Sequence, residues 1–153
     1  MKKKRFHLNI DLITTKAADI EKAVALLDEI GQTPKESFLS DPILISGAKY
    51  QLILAIEAAQ NICNHLAARV AKEVPSSYAD CFRILGREKI ISVKLAEKLV
   101  SMARFRNLLV HHYAKVDDAI VYGIIKAGTA DLLDYIKEIK AFVDAASLEE
   151  QKK

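Results

Sequence analysis

The sequence predicts an all-α protein, an up-and-down bundle of four main helices with one or two short helices added. Three observations carry that expectation. Only five Gly and three Pro punctuate 153 residues, too few turn-formers for a many-stranded sheet. Ala, Leu, Ile, Lys and Glu dominate, and all but Ile are strong helix formers. Long segments repeat apolar residues at spacings of three and four, the signature of one buried helical face. The length suits a single domain spanning residues 1–153, with its core over residues 8–146, large enough to bury apolar area without disulfides or metals.

The first helix is predicted over residues 8–30. Ile13, Ala17, Ile20, Val24, Leu27 and Ile30 make its stripe. Gly31 stands where a C-terminal cap belongs, with Pro34 shortly after. Ser40, Asp41 and Pro42 start a second helix running to about Lys72, with Gly47 as a weak point near its start. Leu52, Ile56, Ala59, Cys63, Leu66 and Val70 form its apolar face. Pro75, Ser76 and Ser77 break the chain, and residues 78–85 read as a short helix capped by Gly86. Ser92 is the N-cap of a third long helix, whose apolar side is Leu95, Leu99, Met102, Phe105 and Leu109. Residues 119–125 fit a short helix. Thr129 then caps a last helix over residues 130–146, with Asp131 suited to its dipole, and the polar tail from Ser147 frays.

The net charge of +3 permits an anionic partner without demanding one. The basic run at residues 2–5 reads as a solvated end, since no apolar core follows it as a signal peptide requires. No stretch is expected to reach the length of a membrane span. Cys63 and Cys81 lie apart in the sequence and outside zinc-ligand spacings. They read as buried thiols of a reducing cytoplasm.

Chemistry concentrates at the end of the third long helix. Arg106, Asn107, His111, His112 and Tyr113 place a permanent cation, an amide, imidazoles that titrate near neutral pH and a phenol within eight residues. That set suits phosphodiester chemistry. At 100° per residue, Arg106 and Tyr113 lie on nearly one face, whereas His111 stands roughly 140° from Arg106. Two arrangements bring them to one target. Either the helix loosens near Val110, or a second copy of the chain supplies the missing group across a two-fold axis. A dimer would also supply two imidazoles, one as base and one as acid. Tyr113 has a structural alternative, as a half-buried tyrosine at a helix end. Glu57, Asn61 and His65 recur every four residues on one flank of the second helix. They either line the cleft, with Glu57 tuning His111, or form a solvated ridge or interhelical contact. Asp117 and Asp118 read as loop or cap residues. The sequence has no compact Asp/Glu cluster of the kind that holds magnesium.

Arg106, His111 and Tyr113 match the Arg-x4-His-x-Tyr pattern of the HEPN-domain ribonucleases, and Asn107 matches the polar residue that follows the Arg. The segments 55–59, 64–65, 75–85 and 104–111 resemble the HepT-type toxin branch, so the likeness covers residues 8–145. It departs from the commonest pattern at His112, where an acidic residue is usual. The resemblance implies a HEPN bundle that forms a homodimer with the motif at its interface. It implies metal-independent, cofactor-free cleavage of RNA that is toxic to its host cell. It also implies a nucleotidyltransferase antitoxin encoded nearby, which transfers AMP to the motif tyrosine, here Tyr113. On that reading Arg106 and His111 are catalytic, while Asn107, Tyr113, His112 and Glu57 support them, in the cytoplasm and without a membrane. The alternatives are a HEPN module that binds a nucleotide or nucleic acid without cutting it, and a helical adaptor for the nucleotidyltransferase.

Overall fold

A computed structural model describes residues 7–151, and the basic run at residues 2–5 lies outside them. Four long helices dominate: α1 (Ile10–Ile30), α3 (Pro42–Leu66), α5 (Val93–His111) and α7 (Thr129–Gln151). Between them lie α2 (Lys35–Leu39), α4 (Tyr78–Arg87) and α6 (Asp118–Ala127). The described residues contain no strand. There are thus three short α-helices, where one or two were expected. The unforeseen one, α2, is little more than a turn, and burial of Phe38 holds it down.

The starts of the helices follow from capping. Asn9 Oδ1 accepts the Leu12 N–H at 3.0 Å, and Asp41 Oδ1 accepts the N–H groups of Ile43 and Leu44, each at 3.1 Å. Pro42 opens α3 because its missing N–H is not needed there. Gly47 does not delay that start. Ser92 Oγ accepts from Leu95 and begins α5 as expected. The end of α3 differs from expectation. Regular helix stops at Leu66, and a π-helical turn over Ala67–Ala71 leads to Lys72 in the left-handed region, φ 57°.

Four further expectations are corrected. Gly86 does not cap α4. It lies within the helix, buried, where a Cβ would stand 2.9 Å from the Cβ of Ala96, so the glycine lets α4 and α5 approach closely. Thr129 is not an N-cap either, because α7 begins with it and its hydroxyl donates sideways to Asp28 Oδ1 at 3.2 Å. Helix α7 also continues to Gln151 instead of ending at Ala146. Finally, the run Pro42–Ala71 is 30 residues long with a window of mean hydropathy 1.2, so one stretch does reach the length and apolarity of a span. That apolarity serves the interior, since Leu52, Ile56, Ala59, Cys63 and Leu66 of α3 are all buried.

The core has two parts. The larger joins Ile20 and Val24 of α1, Ile56 and Ile62 of α3, Phe82 of α4, Leu99 of α5, and Leu132 and Tyr135 of α7. Tyr135 satisfies its buried hydroxyl by donating to the Ala59 carbonyl at 2.9 Å. Cys63 and Cys81, remote in sequence, interact inside this cluster as free thiols, and burial pushes the Cys63 thiol well up. The smaller part joins Leu27, Phe38, Leu52, Leu109, Val121 and Ile125. Leu109 belongs to the motif stretch, so this second cluster anchors the C-terminal end of α5 and aims the residues on either side of it.

Candidate functional site at the end of α5

Arg106 is the most closely held group of the motif. Its Nη2 donates to Glu57 Oε1 at 2.6 Å, and its Nη1 donates to Asn107 Oδ1 at 3.3 Å. The guanidinium carbon lies 4.7 Å from the centroid of the Tyr78 ring, a cation–π distance. The side chain is 14% exposed, and Nε is buried with no hydrogen-bond partner among the described residues. A charge this enclosed needs a carboxylate, and Glu57 supplies it from α3. The fixed plane leaves N–H groups of the fork uncommitted, which is what recognition of a phosphate needs.

Glu57 is therefore an interhelical contact facing Arg106. Within one chain its carboxylate meets the guanidinium and not His111, the interhelical contact that the sequence left open beside a role in the cleft. His65, on the same flank, is structural: its Nε2 accepts the backbone N–H of Asn9 at 2.9 Å. Desolvation, and behind it the charge of Arg69, lowers its pKa from 6.5.

His111 is the last residue of α5 and is exposed. The helix stays regular up to it, so the backbone does not loosen near Val110. Within one chain the His111 side chain has no hydrogen bond or ion pair among the described residues, and no such bond joins it to Arg106. His112 ends the helix with its N–H bonded to the Leu108 carbonyl at 2.8 Å. It lines an open groove with Arg104, Leu108, Lys115 and Ile120 on another side of α5.

Tyr113 opens a 3-10 turn, Tyr113–Lys115, and is 46% exposed. Its hydroxyl donates to Ser46 Oγ at 3.1 Å, and Lys49 Nζ sits 4.3 Å from its ring centroid. Both partners belong to α3. Asp117 caps α6 by accepting from Ala119 at 2.9 Å, and Asp118 pairs with Lys49 at 3.0 Å. Among the described residues no three His, Cys, Asp or Glu side chains gather as a metal site requires.

The structure thus brings Arg106, Asn107 and Glu57 together, places Tyr113 against α3, and leaves His111 and His112 facing outward. Sequence reasoning missed Tyr78 and Lys49. Tyr78 follows the Pro-Ser-Ser segment, and nothing local marks it as the floor beneath Arg106. Lys49 looks in sequence like any solvated lysine.

Comparison with known proteins adds a consistent likeness. The family model described as ribonuclease HepT-like matches residues 20–139. The mRNA nuclease HepT of Shewanella oneidensis is 27% identical over 135 residues, covering 86% of this chain and 98% of that protein. A candidate RNase of Archaeoglobus fulgidus is 30% identical over 121 residues, covering 79% of this chain and 89% of that one. Among solved structures, the tri-AMPylated HEPN toxin of S. oneidensis in complex with its MNT antitoxin superposes with a TM-score of 0.80 at 27% identity. That match covers 86% of this chain and 98% of the toxin.

Proposed function

Since the chain belongs to the HepT-like ribonuclease family, we propose that it is a metal-independent endoribonuclease, the toxin of a toxin–antitoxin pair. The observation that carries this reading is the immobilised Arg106 at the head of the motif, its plane fixed by Glu57, Asn107 and Tyr78. The site is composite. His111 stands free at the end of a regular helix, and a second copy of the chain supplies the groups that one copy cannot bring to Arg106.

In the reaction, the 2′-oxygen of a ribose attacks the adjacent phosphorus, and the bond from phosphorus to the 5′-oxygen breaks. One imidazole takes the proton of the 2′-hydroxyl, and the other, protonated, gives one to the departing oxygen. The two imidazoles are the His111 side chains of the two copies. Arg106 offsets the negative charge that builds on the phosphoryl oxygens. Asn107 keeps the guanidinium oriented, and the Tyr113 hydroxyl turns its proton from Ser46 to the phosphate, with Ser46 then donating to the phenol oxygen. The products are a 2′,3′-cyclic phosphate and a free 5′-hydroxyl.

The partner in this reading is a nucleotidyltransferase antitoxin encoded nearby. Its support is the S. oneidensis toxin, AMPylated and bound to an MNT antitoxin. Tyr113 is the acceptor: its phenol is exposed, and its oxygen would displace pyrophosphate from the α-phosphorus of a nucleoside triphosphate. AMP on that oxygen replaces the phenol proton and adds bulk and negative charge where Tyr113 meets α3, which opposes RNA binding.

The test is cleavage of RNA by the purified chain in EDTA. Products ending in 2′,3′-cyclic phosphate are expected. Arg106→Ala and His111→Ala should each lower the rate by about a hundredfold or more while the protein stays folded. Wild-type rates in His111→Ala would remove His111 from the mechanism. Binding of RNA without cleavage would favour a non-catalytic module.

A further inference from the structure

Lys49 is the one Lys or Arg among the buried residues described, at 5% exposure. Lysines on the rim of a bundle ordinarily bury the stem and carry the ammonium out to water. This one does the reverse. Its Nζ reaches from α3 to Asp118 Oδ1, 3.0 Å away at the start of α6, and on the way passes 4.3 Å from the centroid of the Tyr113 ring. An ammonium has three donors. Asp118 Oδ1 meets it as an ion pair without hydrogen-bond alignment, so one carboxylate charge and one ring face serve a charge that is costly to remove from water.

One helical turn earlier on α3, Ser46 accepts the Tyr113 hydroxyl at 3.1 Å. Ser46 and Lys49 are three residues apart and therefore lie on the same side of α3. Tyr113 is thus fixed at two points, its ring on the ammonium and its oxygen on the serine. The 3-10 turn that carries it, Tyr113–Lys115, buries none of its residues. The position of the phenol therefore depends on α3 more than on its own backbone.

We propose that Lys49, tethered by Asp118, is a positioning residue for Tyr113, fixing where the phenol oxygen is presented to RNA phosphate. This rests on the catalytic reading above for its consequence, but not for its geometry. Neither Lys49 nor Asp118 touches substrate on this view.

The test pairs a spectroscopic arm with a kinetic one on the full chain. With ring-labelled tyrosine, the Tyr113 resonances, assigned with Tyr113→Phe, should move in Lys49→Met and return toward wild type in Lys49→Arg. In RNA cleavage, Lys49→Met and Tyr113→Phe should each lower kcat/KM about tenfold, the scale of one hydrogen bond. The double variant should lose no more than either alone, because without the hydroxyl there is nothing left to position. Lys49→Met/Asp118→Asn removes both charges and serves where the single change leaves Asp118 bare and the fold weakened. Unmoved Tyr113 resonances in a folded Lys49→Met protein would overturn the proposal, as would losses that multiply to about a hundredfold in the double variant. A wild-type chain that cuts no RNA refutes the catalytic reading instead, and the resonances still decide whether Lys49 places Tyr113.

Discussion

Arg106 is surrounded by groups that each do a different job. Glu57 neutralises it, Asn107 orients it and Tyr78 stacks beneath it. The pair with Glu57 is only partly shielded, with the carboxylate side chain 40% exposed against 14% for the arginine. Solvent therefore screens the carboxylate end of the pair, while the enclosed guanidinium still depends on its counter-charge. Glu57→Gln keeps the shape but turns a charge-assisted bond into a neutral one. That change should lower RNA cleavage by about tenfold, the scale of one hydrogen bond weakened at a transition state, and lower the melting temperature, because the enclosed guanidinium loses its counter-charge. Steady-state kinetics beside a melting curve checks it. A faster Glu57→Gln enzyme would mean that Glu57 competes with phosphate for the guanidinium. At this scale the sequence told half the story. The motif marked Arg106, Asn107, His111 and Tyr113, and helical spacing raised Glu57, but the other groups that hold Arg106 and Tyr113 lie at 78, 46 and 49. Contacts across so long a stretch of chain leave no local signal.

The helices themselves were legible wherever a side chain caps them, at Asp41 and Ser92 in particular. They were less so where tertiary packing decides. Gly86 has the composition of a stop signal, and it is tight packing against Ala96 that explains its place inside α4. Thr129 has the composition of a cap and is drawn aside by Asp28. Helix α1 has an unusual support at its start. The Asn9 N–H is accepted by His65, 56 residues later on α3, which only neutral imidazole can do. Its folded pKa lies below 6.5 because burial, and then Arg69, disfavour the cation. The sign follows: the contribution is complete above about 6.5 and fades as pH falls from there through the lower folded value. Only a fraction of one net hydrogen bond, at most about 0.5 kcal/mol for a group so open to solvent, should be lost on acidification across that window. His65→Gln, which accepts without titrating, should flatten this part of the pH dependence. Urea midpoints at neutral pH and near pH 5 provide the comparison. An unchanged slope in His65→Gln would show that other groups set the acid limb.

The molecule as a whole presents its motif beside an uncovered apolar face. Ile43, Tyr50 and Leu54 of α3 are 86%, 59% and 38% exposed. Their spacings of seven and four put them in one line, and Glu57 is the next step along it. Val110 of α5, 42% exposed, adds to the apolar surface around the motif. Apolar surface grouped in this way marks an interaction site. On the composite-site reading proposed above, a stripe ending at the Arg106 ion pair is the face on which a second copy would complete the cleft. Tyr50→Glu/Leu54→Glu puts like charges on both sides of any two-fold contact there, a severe penalty when buried. The variant should sediment as a monomer, keep its helical spectrum and lose RNA cleavage by about a hundredfold or more, because one chain offers a single His111 for two proton transfers. Sedimentation and cleavage measured on the same sample separate the possibilities. A monomer that cuts as fast as wild type would mean that each chain holds a complete site. A dimer that persists would mean that the copies meet on another face, and that Arg106 and His111 are joined by some route other than this stripe.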